Sequence, residues 1–417
     1  MTGISLSIFS DHSGMTQILQ GDELLQRFVA LDIFLVQHHA LWHPRPFKHL
    51  ELAWECKHPD LADWLKQRSL DQAEAAQHAP TQLAAPAPYP LLACRAAELS
   101  LLGELPSAPL PPAPSRLEVH VPGRKWQQIE AFASRLEFLT TAEHWLDWCA
   151  GKGHLGRRLM QHGQRLTCLE YDPALILAGQ ALSDRHRLIA AHVCQDVLAP
   201  AAAKHLTEAH SPVALHACGD LHVRLLQLAS EARCANIAIA PCCYNRIAGL
   251  RYTPLSQAAK SSALSLDLDD LALPASEAVT AGTRTRRQRD QSMARRLGFD
   301  LMQRQLRQTD EYLPTPSLPA AWLQKPFADY CTDLAVLKNL PPPGEQPWAA
   351  LEQAGEQRLA QVRNLELLRN LFRRPIELWL ALDRALLIQE QGYRVKVGTF
   401  CAHELTPRNV MIHAERL

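Results

Sequence analysis

Features of membrane proteins and of disulfide-stabilised proteins are missing from this sequence. The 417 residues hold no apolar run near the ~18 residues that span a bilayer. No basic stretch followed by an apolar one begins the chain, so no signal peptide is predicted. The eleven cysteines are an odd number without Cys-x-x-Cys spacing, which predicts neither a disulfide framework nor a metal site. We therefore expect a cytoplasmic protein with reduced cysteines and no membrane segment.

A net charge is missing too. The 43 Lys and Arg residues balance the 43 Asp and Glu residues, which argues against polyanion binding by the chain as a whole. A local basic patch is still compatible with this balance. Hydrophobic residues make up 47% and charged residues 21%, as in ordinary globular proteins. The length predicts two or three domains.

The chain divides into three segments that differ in hydrophobic pattern and proline content. Residues 1–80 form a predicted helical region, because apolar side chains recur every three or four positions in 24–36 and 50–65. Residues 81–118 are rich in proline, which interrupts helices and central strands, so we expect an extended connector there. Residues 119–417 form the third segment, which carries every motif with a chemical interpretation.

The third segment is predicted to be an α/β domain whose mainly parallel sheet has helices on both faces. Strand-like apolar runs alternate with helix-period runs up to residue 245. A helical insertion is expected at about 246–375, and a strand pair at 394–401 and 410–414 follows it. The first five strands are predicted at 144–149, 165–171, 188–193, 212–217 and 235–240.

A glycine-rich turn after the first of these strands is the strongest functional signal. The run 147–156 (DWCAGKGHLG) leads from strand to helix, and glycine lets a ligand approach the backbone closely. Glu170 ends the next strand, 19 residues after Gly151, where a carboxylate can accept both hydroxyls of a ribose. Asp196 ends the third strand, where a carboxylate can accept an adenine amine. We predict a nucleoside site at this edge of the sheet, because neighbouring parallel strands end there together.

The ligand is predicted to be S-adenosylmethionine. Asp147 stands ahead of the glycines, and an acid there disfavours the pyrophosphate of a dinucleotide. It favours a cationic or zwitterionic ligand, such as a sulfonium with an amino-acid tail. An NAD(P)-dependent oxidoreductase is the weaker alternative. The predicted cofactor-binding residues are Asp147, Cys149, Gly151, Gly153, Glu170, Asp172, Asp196 and His216.

Six segments carry distinctive motifs: 123–129 (GRKWQQI), 147–156, 216–221 (HACGDL), 241–244 (PCCY), 380–392 and 406–409. These motifs resemble those of one group of class I methyltransferases. The group contains the methyltransferase-like 25 proteins, the glutathione-S-transferase C-terminal-domain-containing protein and, more distantly, the eukaryotic tRNA 2′-O-methyltransferase of the acceptor stem. The resemblance implies a Rossmann-like, seven-stranded class I methyltransferase sheet and S-adenosylmethionine as cofactor. The tRNA enzyme has a His-rich pair where this chain has Tyr244-Asn245, and its zinc-binding N-terminal modules have no counterpart, so its 2′-O-methyl activity is not carried over.

Residues for handling the methyl acceptor are expected after the fourth and fifth strands. Methyl transfer needs an aligned nucleophile and, when the nucleophile is protonated, a proton acceptor. Tyr244 could stack on a flat acceptor, and Asn245 could hold an amine or hydroxyl. A hydrogen-bonded sheet histidine is the plainer interpretation of His216, and two adjacent cysteines rarely bind a metal. The predicted catalytic residues are His216, Asp220, Cys242, Cys243, Tyr244 and Asn245.

A basic run in the insertion bears on the acceptor. Six arginines within 284–296 suit contacts to phosphates, which favours RNA, either tRNA or rRNA, as the acceptor. A solvated helix face is an equally good interpretation. A protein or small-molecule methyltransferase and a non-catalytic scaffold with the same fold stay as alternatives. The arginines are Arg284, Arg286, Arg287, Arg289, Arg295 and Arg296.

Overall fold

A computed structural model describes residues 17–276 and 283–417, and this part of the chain divides into two units. Unit 1 contains the described residues up to Ala30, together with Leu101–Ala275 and Leu378–Leu417. Unit 2 contains Leu31–Ser100 and the described residues of Ser276–Glu377. The N-terminal helical region and most of the helical insertion therefore share one unit. The predicted segments kept these two regions apart, because a linear pattern does not show which distant helices pack together.

Unit 1 is built on an eight-stranded sheet. Across the sheet, the strands in chain order β1 to β8 are arranged β1-β7-β8-β6-β5-β2-β3-β4. The strands β2 to β6 are parallel, β8 is antiparallel to both of its neighbours, and β1 is antiparallel to β7. Without β1, this is the predicted seven-stranded class I methyltransferase sheet, so the predicted fold is confirmed. The strands are β1 (Leu19–Gln20), β2 (His144–Trp148), β3 (Arg165–Glu170), β4 (Ala190–Cys194), β5 (His210–Cys218), β6 (Asn236–Cys242), β7 (Tyr393–Thr399) and β8 (Val410–Arg416).

Burial explains why the sheet could be predicted. Every residue of β6 is buried, as expected of a strand in the interior of a sheet covered on both faces. The strand β1 was not predicted, because two residues are too few to show an alternating pattern. Packed against the sheet is a cluster of buried side chains from several elements of unit 1, among them Phe132, Trp145, Leu166, Val213, Phe400 and Met411.

Helices occur in both units. The ranges of α1 and α15 are divided between the units, α2–α5 and α12–α14 lie in unit 2, and α6–α11 lie in unit 1. The helices are α1 (Asp22–Gln37), α2 (His39–Trp42), α3 (Pro59–Lys66), α4 (Leu70–Gln77), α5 (Tyr89–Ser100), α6 (Gly123–Ala133), α7 (His154–Leu159), α8 (Pro173–Arg185), α9 (Asp220–Glu231), α10 (Gln257–Lys260), α11 (Leu268–Ala272), α12 (Thr283–Arg307), α13 (Phe327–Leu337), α14 (Trp348–Asn370) and α15 (Arg373–Glu390).

Unit 2 is held together where α12 and α14 meet. A Cβ added to Gly355 would lie 2.5 Å from the carbonyl oxygen of Ala294 and 3.0 Å from the Cα of Gly298. The two helix backbones therefore approach at a point that leaves no room for a side chain. Beside this point, α12, α13 and α14 bury a common apolar cluster that includes Phe299, Met302, Phe327, Tyr330, Leu334 and Leu351.

Two local expectations for the N-terminal part of the chain are wrong. The predicted extended connector contains α5, because the prolines flank this helix and Pro90 lies in its first turn, where a missing N–H costs nothing. The predicted helix over 50–65 is only α3, which begins at Pro59 for the same reason. Within residues 17–276 and 283–417, no helix combines the length and apolar character needed to cross a membrane.

Candidate active site

The glycine-rich turn between β2 and α7 borders open space. Gly151 and Gly153 both have positive φ angles, of 57° and 70°. Among the residues that the structure describes, no heavy atom lies within 4 Å of a Cβ added to Gly151, whereas one on Gly153 would lie 2.6 Å from the His192 ring. Gly153 therefore serves the packing of the turn, and Gly151 leaves a space that a ligand can occupy.

A third glycine completes the turn. A Cβ on Gly156 would lie 2.5 Å from the Leu166 side chain, so this glycine lets α7 pack closely on the sheet. Gly151, Gly153 and Gly156 have the GxGxxG spacing of dinucleotide loops. The glycine spacing and a ribose-binding carboxylate such as Glu170 are therefore common to dinucleotide and S-adenosylmethionine sites.

Glu170, at the end of β3, is held by three backbone donors. Its Oε2 accepts a hydrogen bond from the N–H of Gly151 at 2.8 Å, and its Oε1 accepts from Tyr171 at 2.8 Å and Asp172 at 3.1 Å. These contacts tie the turn after β2 to the end of β3. A carboxylate has about four lone-pair sites, so three backbone donors leave the half-buried group about one site for a ribose hydroxyl.

Asp147 does not face the open space. Its side chain is 3% exposed, and its Oδ2 accepts a hydrogen bond from the Gly156 N–H at 2.8 Å. Burial raises the pKa of this carboxyl to about 6, although the Gly156 hydrogen bond and the charge of Arg157 act in the opposite direction. The predicted direct contact of Asp147 with a cationic ligand is therefore wrong for this structure, because the carboxyl is used to hold α7.

Two exposed apolar side chains accompany the remaining acids. Asp172 caps α8 by accepting from the Ala174 N–H at 2.8 Å, and the exposed Asp196 accepts from the Leu198 N–H at 3.0 Å. Tyr171, directly before Asp172, is 72% exposed, and Leu198, two residues after Asp196, is 50% exposed. Neither was predicted, although an apolar residue near the acid at a strand end is the signal for a surface that an adenine can cover.

His216 lies in a distorted part of β5. The pairing of β5 with β6 shifts register between Leu215 and Cys218, and His216 has a φ of 65°. Its Nε2 is 2.8 Å from Oε1 of Gln128 in α6, so the plainer interpretation, a hydrogen-bonded histidine, describes its contacts. Burial and then the positive charges of Arg408 and Lys125 lower the pKa of His216 to about 4. The ring is therefore neutral at physiological pH.

Three cysteines meet where β5 and β6 end. The Sγ atoms of Cys218 and Cys242 are 3.6 Å apart, and those of Cys218, Cys242 and Cys243 all lie within 4.8 Å of one another. The pKa of Cys243 is lowered, first by a hydrogen bond from Cys242 and further by Arg408 and Arg246. Cys149, in the glycine-rich turn, behaves differently, because burial raises its pKa to about 12 and keeps its thiol protonated.

Tyr244 cannot stack on an acceptor in this structure, and that expectation is wrong. Its side chain is 1% exposed, and its ring contacts His222 and the guanidinium of Arg384, which lies 4.9 Å from the ring centroid. Arg384 also donates to His222 at 2.6 Å. The sequence motif 380–392 contains this arginine, but nothing in the sequence indicated its buried partners. Asn245, next along the chain, is half-buried.

A cavity of about 340 Å³ opens among the loops that follow β4, β5 and β6. Asp220 lines it, and its Oδ2 accepts from the Ala248 N–H at 2.8 Å. Leu198, two residues after Asp196, lines the cavity as well. The cavity therefore adjoins the predicted cofactor site. A second cavity, lined by 110–113 and α6, contains none of the predicted site residues. Other residues lining the first cavity are Arg224, Gln227, Arg251, Tyr252 and Leu255.

The six arginines of the basic run, all in α12, divide into two sets. Arg295 is buried and donates to the Lys325 carbonyl at 2.8 Å, and Arg296 donates to the Pro316 carbonyl at 2.9 Å. Both contribute to the packing of unit 2, and the buried Arg295 is not accessible to RNA in this structure. The exposed arginines are Arg284, Arg286, Arg287 and Arg289.

Comparison with known proteins agrees with this geometry. Residues 124–249 match a family model described as a methyltransferase domain. The sheet has the class I methyltransferase fold. The match implies S-adenosylmethionine as the cofactor of this domain, and it spans all of the predicted cofactor-binding residues. No curated protein matches the chain.

Three solved structures are similar over part of the chain. A candidate sarcosine dimethylglycine methyltransferase from Galdieria sulphuraria is 18% identical, with 28% of this chain and 44% of that chain covered and a TM-score of 0.22. A SAM-dependent methyltransferase from Agrobacterium tumefaciens is 12% identical, with 29% and 45% covered and a TM-score of 0.23. The 23S rRNA methyltransferase ErmE is 14% identical, with 58% and 97% covered and a TM-score of 0.23. The chain thus spans less than half the length of the first two proteins. TM-scores this low carry no information about its substrate.

Proposed function

We propose that the protein is an S-adenosylmethionine-dependent methyltransferase that modifies RNA. The observation that carries the methyltransferase assignment is the Glu170 carboxylate bonded to the Gly151 N–H beside open space. The matched methyltransferase domain includes both residues. A carboxylate at this position is what a ribose requires of a nucleoside site at the carboxyl edge of a parallel sheet.

The described residues suit the parts of this cofactor. When bound, the cofactor supplies a methyl group on a positively charged sulfur. Glu170 would accept a hydrogen bond from a ribose hydroxyl, and Asp196 would accept one from the adenine amine. The exposed side chains of Tyr171 and Leu198 would cover the adenine ring, which removes apolar surface from water. Gly151 would leave room for the ligand beside the backbone.

The cavity beside this site would receive the methyl acceptor. One oxygen of Asp220 accepts from the Ala248 N–H. The other, which has no hydrogen-bond partner among the described residues, would accept a proton from an acceptor amine or hydroxyl. Arg224 and Arg251 line the same cavity, and guanidinium groups suit phosphate oxygens. A nucleotide of an RNA strand fits this combination of an acid and two arginines.

The exposed arginines of α12 support RNA further. They occupy the first turns of the helix, whose N-terminal end already carries a partial positive charge. Four cations at this end disfavour the helix by itself and favour a polyanionic partner. In unit 2 they would contact phosphates, which position a nucleic acid without reading its sequence.

Titration with S-adenosylhomocysteine tests the cofactor assignment. The wild-type chain is expected to bind it, and Glu170→Gln is expected to bind at least tenfold more weakly, or about 1.4 kcal/mol. Glu231→Gln, an exposed change at the end of α9, is the matched control. No binding by the wild-type chain contradicts the enzyme assignment and favours the scaffold. Binding of NADH in its place favours the oxidoreductase.

Labelled methyl donor and salt-dependent binding test the acceptor. Total RNA is expected to take up label, and cellular protein is not. Replacing Arg284, Arg286, Arg287 and Arg289 by alanine should reduce the slope of log affinity against log salt by up to ~3, since each phosphate contact to a single strand contributes ~0.7. The control replaces four exposed basic residues of unit 1, Arg165, Arg185, Lys204 and Lys260. Label in protein alone, or equal slopes for both variants, contradicts the RNA proposal.

A further inference from the structure

The three cysteines at the ends of β5 and β6 form a cluster of metal-binding type. Cys218 is the last residue of β5, Cys242 is the last residue of β6, and their Cα atoms are paired partners in the sheet. Cys243 follows directly. All three thiols are free of disulfide bonds. Neighbouring strands therefore bring three thiol ligands together, although the sequence has no Cys-x-x-Cys spacing that would predict the cluster.

The distances between the sulfur atoms suit zinc. At a Zn–S distance of about 2.3 Å, two sulfurs of a tetrahedral site lie about 3.8 Å apart. The Cys218 and Cys242 sulfurs are 3.6 Å apart, and Cys243 Sγ lies within 4.8 Å of both. These separations need only small rotations of side chains to reach a common ion.

Backbone contacts hold the cluster in place. The Gly219 N–H donates to the Cys242 carbonyl at 3.2 Å, and the Arg246 N–H donates to the Cys243 carbonyl at 2.9 Å. A Cβ on Gly219 would lie 1.9 Å from the Arg246 carbonyl oxygen, so the two loops meet where only glycine fits. Cys243 has a φ of 44°, an angle that a non-glycine residue adopts only when its surroundings fix it.

One side of the cluster is accessible to solvent, and positively charged side chains act on it. Cys242 is buried, while Cys218 and Cys243 are partly exposed. Three thiolates around Zn²⁺ leave one net negative charge, and the positive side chains of Arg246 and Arg408 act on Cys243. A site with three protein ligands and one open position is the arrangement of catalytic rather than structural zinc.

We propose that Cys218, Cys242 and Cys243 bind a zinc ion through their three sulfur atoms. The fourth position lies on the exposed side of Cys218 and Cys243, where water or a donor atom of the methyl acceptor can bind. The site stands on the sulfur geometry alone and does not depend on the RNA proposal. It replaces the expectation that this chain binds no metal.

Cobalt titration of the full-length protein tests the site. Co²⁺ occupies the same tetrahedral thiolate sites as zinc and gives them strong visible absorption. Reduced, metal-free wild type is expected to bind one Co²⁺ with this absorption and to lose it when Zn²⁺ is added. Cys243→Ser is expected to bind Co²⁺ at least ~10-fold more weakly, since loss even of an outer partner of a metal ligand costs that much.

Control variants separate metal binding from folding. Cys94→Ser removes an exposed thiol outside the cluster and should bind Co²⁺ as wild type does. Circular dichroism checks that Cys243→Ser is folded, and Cys218→Ser provides a second cluster variant. Glu170→Gln should retain cobalt binding, because Glu170 is not a proposed metal ligand. The cofactor assignment and the metal site can therefore fail independently of each other. Equal cobalt affinity of Cys243→Ser and Cys94→Ser, or no cobalt absorption by fully reduced wild type, overturns the proposal.

Discussion

At the scale of single residues, the candidate site depends on one carboxylate fixed by backbone amides. Three N–H groups from two strand ends hold Glu170 in one orientation. A side chain fixed before the ligand arrives loses little rotamer freedom on binding, so more of its interaction energy contributes to affinity. Asp147 has a structural role instead, because its carboxylate accepts a hydrogen bond from the Gly156 N–H inside the fold.

Asp147 should make stability decrease as the pH rises. Its pKa in the folded chain is about 6, against 3.8 for an ordinary carboxyl, so the folded state holds the proton more tightly than the unfolded state. The resulting stability is present below about pH 4 and is lost as the pH rises through 6, at a cost of about 3 kcal/mol. Asp147→Asn keeps an oxygen for the Gly156 N–H but does not titrate.

Denaturant unfolding of both proteins between pH 4 and 7 measures this difference. Relative to Asp147→Asn, the wild type is expected to lose stability as the pH increases. The charges that shift the pKa of Asp147 belong to Arg157, Lys125 and Glu170, and they are present in both proteins. If the two free energies of unfolding change in parallel with pH, the carboxyl does not have a raised pKa.

At the scale of elements, strands with a clear hydrophobic pattern could be predicted from the sequence. Features that depend on contacts between distant segments could not. The five parallel strands and the C-terminal pair could be predicted, because each is an apolar run bounded by turn residues. The helix α5 was hidden by its flanking prolines. The burial of Tyr244 could not be predicted either, since it arises from α15, more than a hundred residues along the chain.

The crossing of α12 and α14 should be sensitive to a single methyl group. In Gly355→Ala, the new Cβ would meet the Ala294 carbonyl at 2.5 Å, so the two helices must separate. Overpacking of this kind costs ~1–3 kcal/mol. Gly123→Ala is the matched control, because a Cβ there has no neighbour within 4 Å. A melting temperature of Gly355→Ala equal to that of the control would show that the helices do not approach this closely.

At the scale of the whole molecule, buried histidines should make the protein sensitive to acid. Burial lowers the pKa of five histidines of unit 1 to about 4, whereas unfolded histidines titrate near 6.5. Each contributes stability that is present above pH 6.5 and is lost as the pH falls towards 4. Unfolding at pH 5 should therefore take up protons, which calorimetry in buffers of different ionisation enthalpy measures. The five are His144, His154, His192, His216 and His413.

Unfolding at pH 5 without net proton uptake would contradict these lowered pKa values. The same measurement at pH 8 is the control, because histidines are neutral in both states there. Asp147, Asp300 and Glu366, whose pKa values are raised by burial, act in the opposite direction and each reduce the uptake by at most one proton.

Ligand protection should be confined to one unit. S-adenosylhomocysteine is expected to slow amide hydrogen exchange in 149–156 and at the ends of β3 and β4, because the proposed contacts lie there. It should leave α12–α14 unchanged, since unit 2 contains none of the predicted cofactor-binding residues. Hydrogen exchange with mass spectrometry measures both. Protection of α12–α14 without protection of the glycine-rich turn would place the cofactor elsewhere.

The position of β8 between β6 and β7 has a consequence for synthesis on the ribosome. The fully buried β6 is translated long before its partner, because about 170 residues separate Cys242 from Val410, which takes roughly 10–30 s at ~5–20 residues per second. Throughout this interval an apolar strand edge of the nascent chain is open to other chains. Slowing elongation within the codons for this interval should therefore lower the yield of native protein, and co-translational chaperones should protect it.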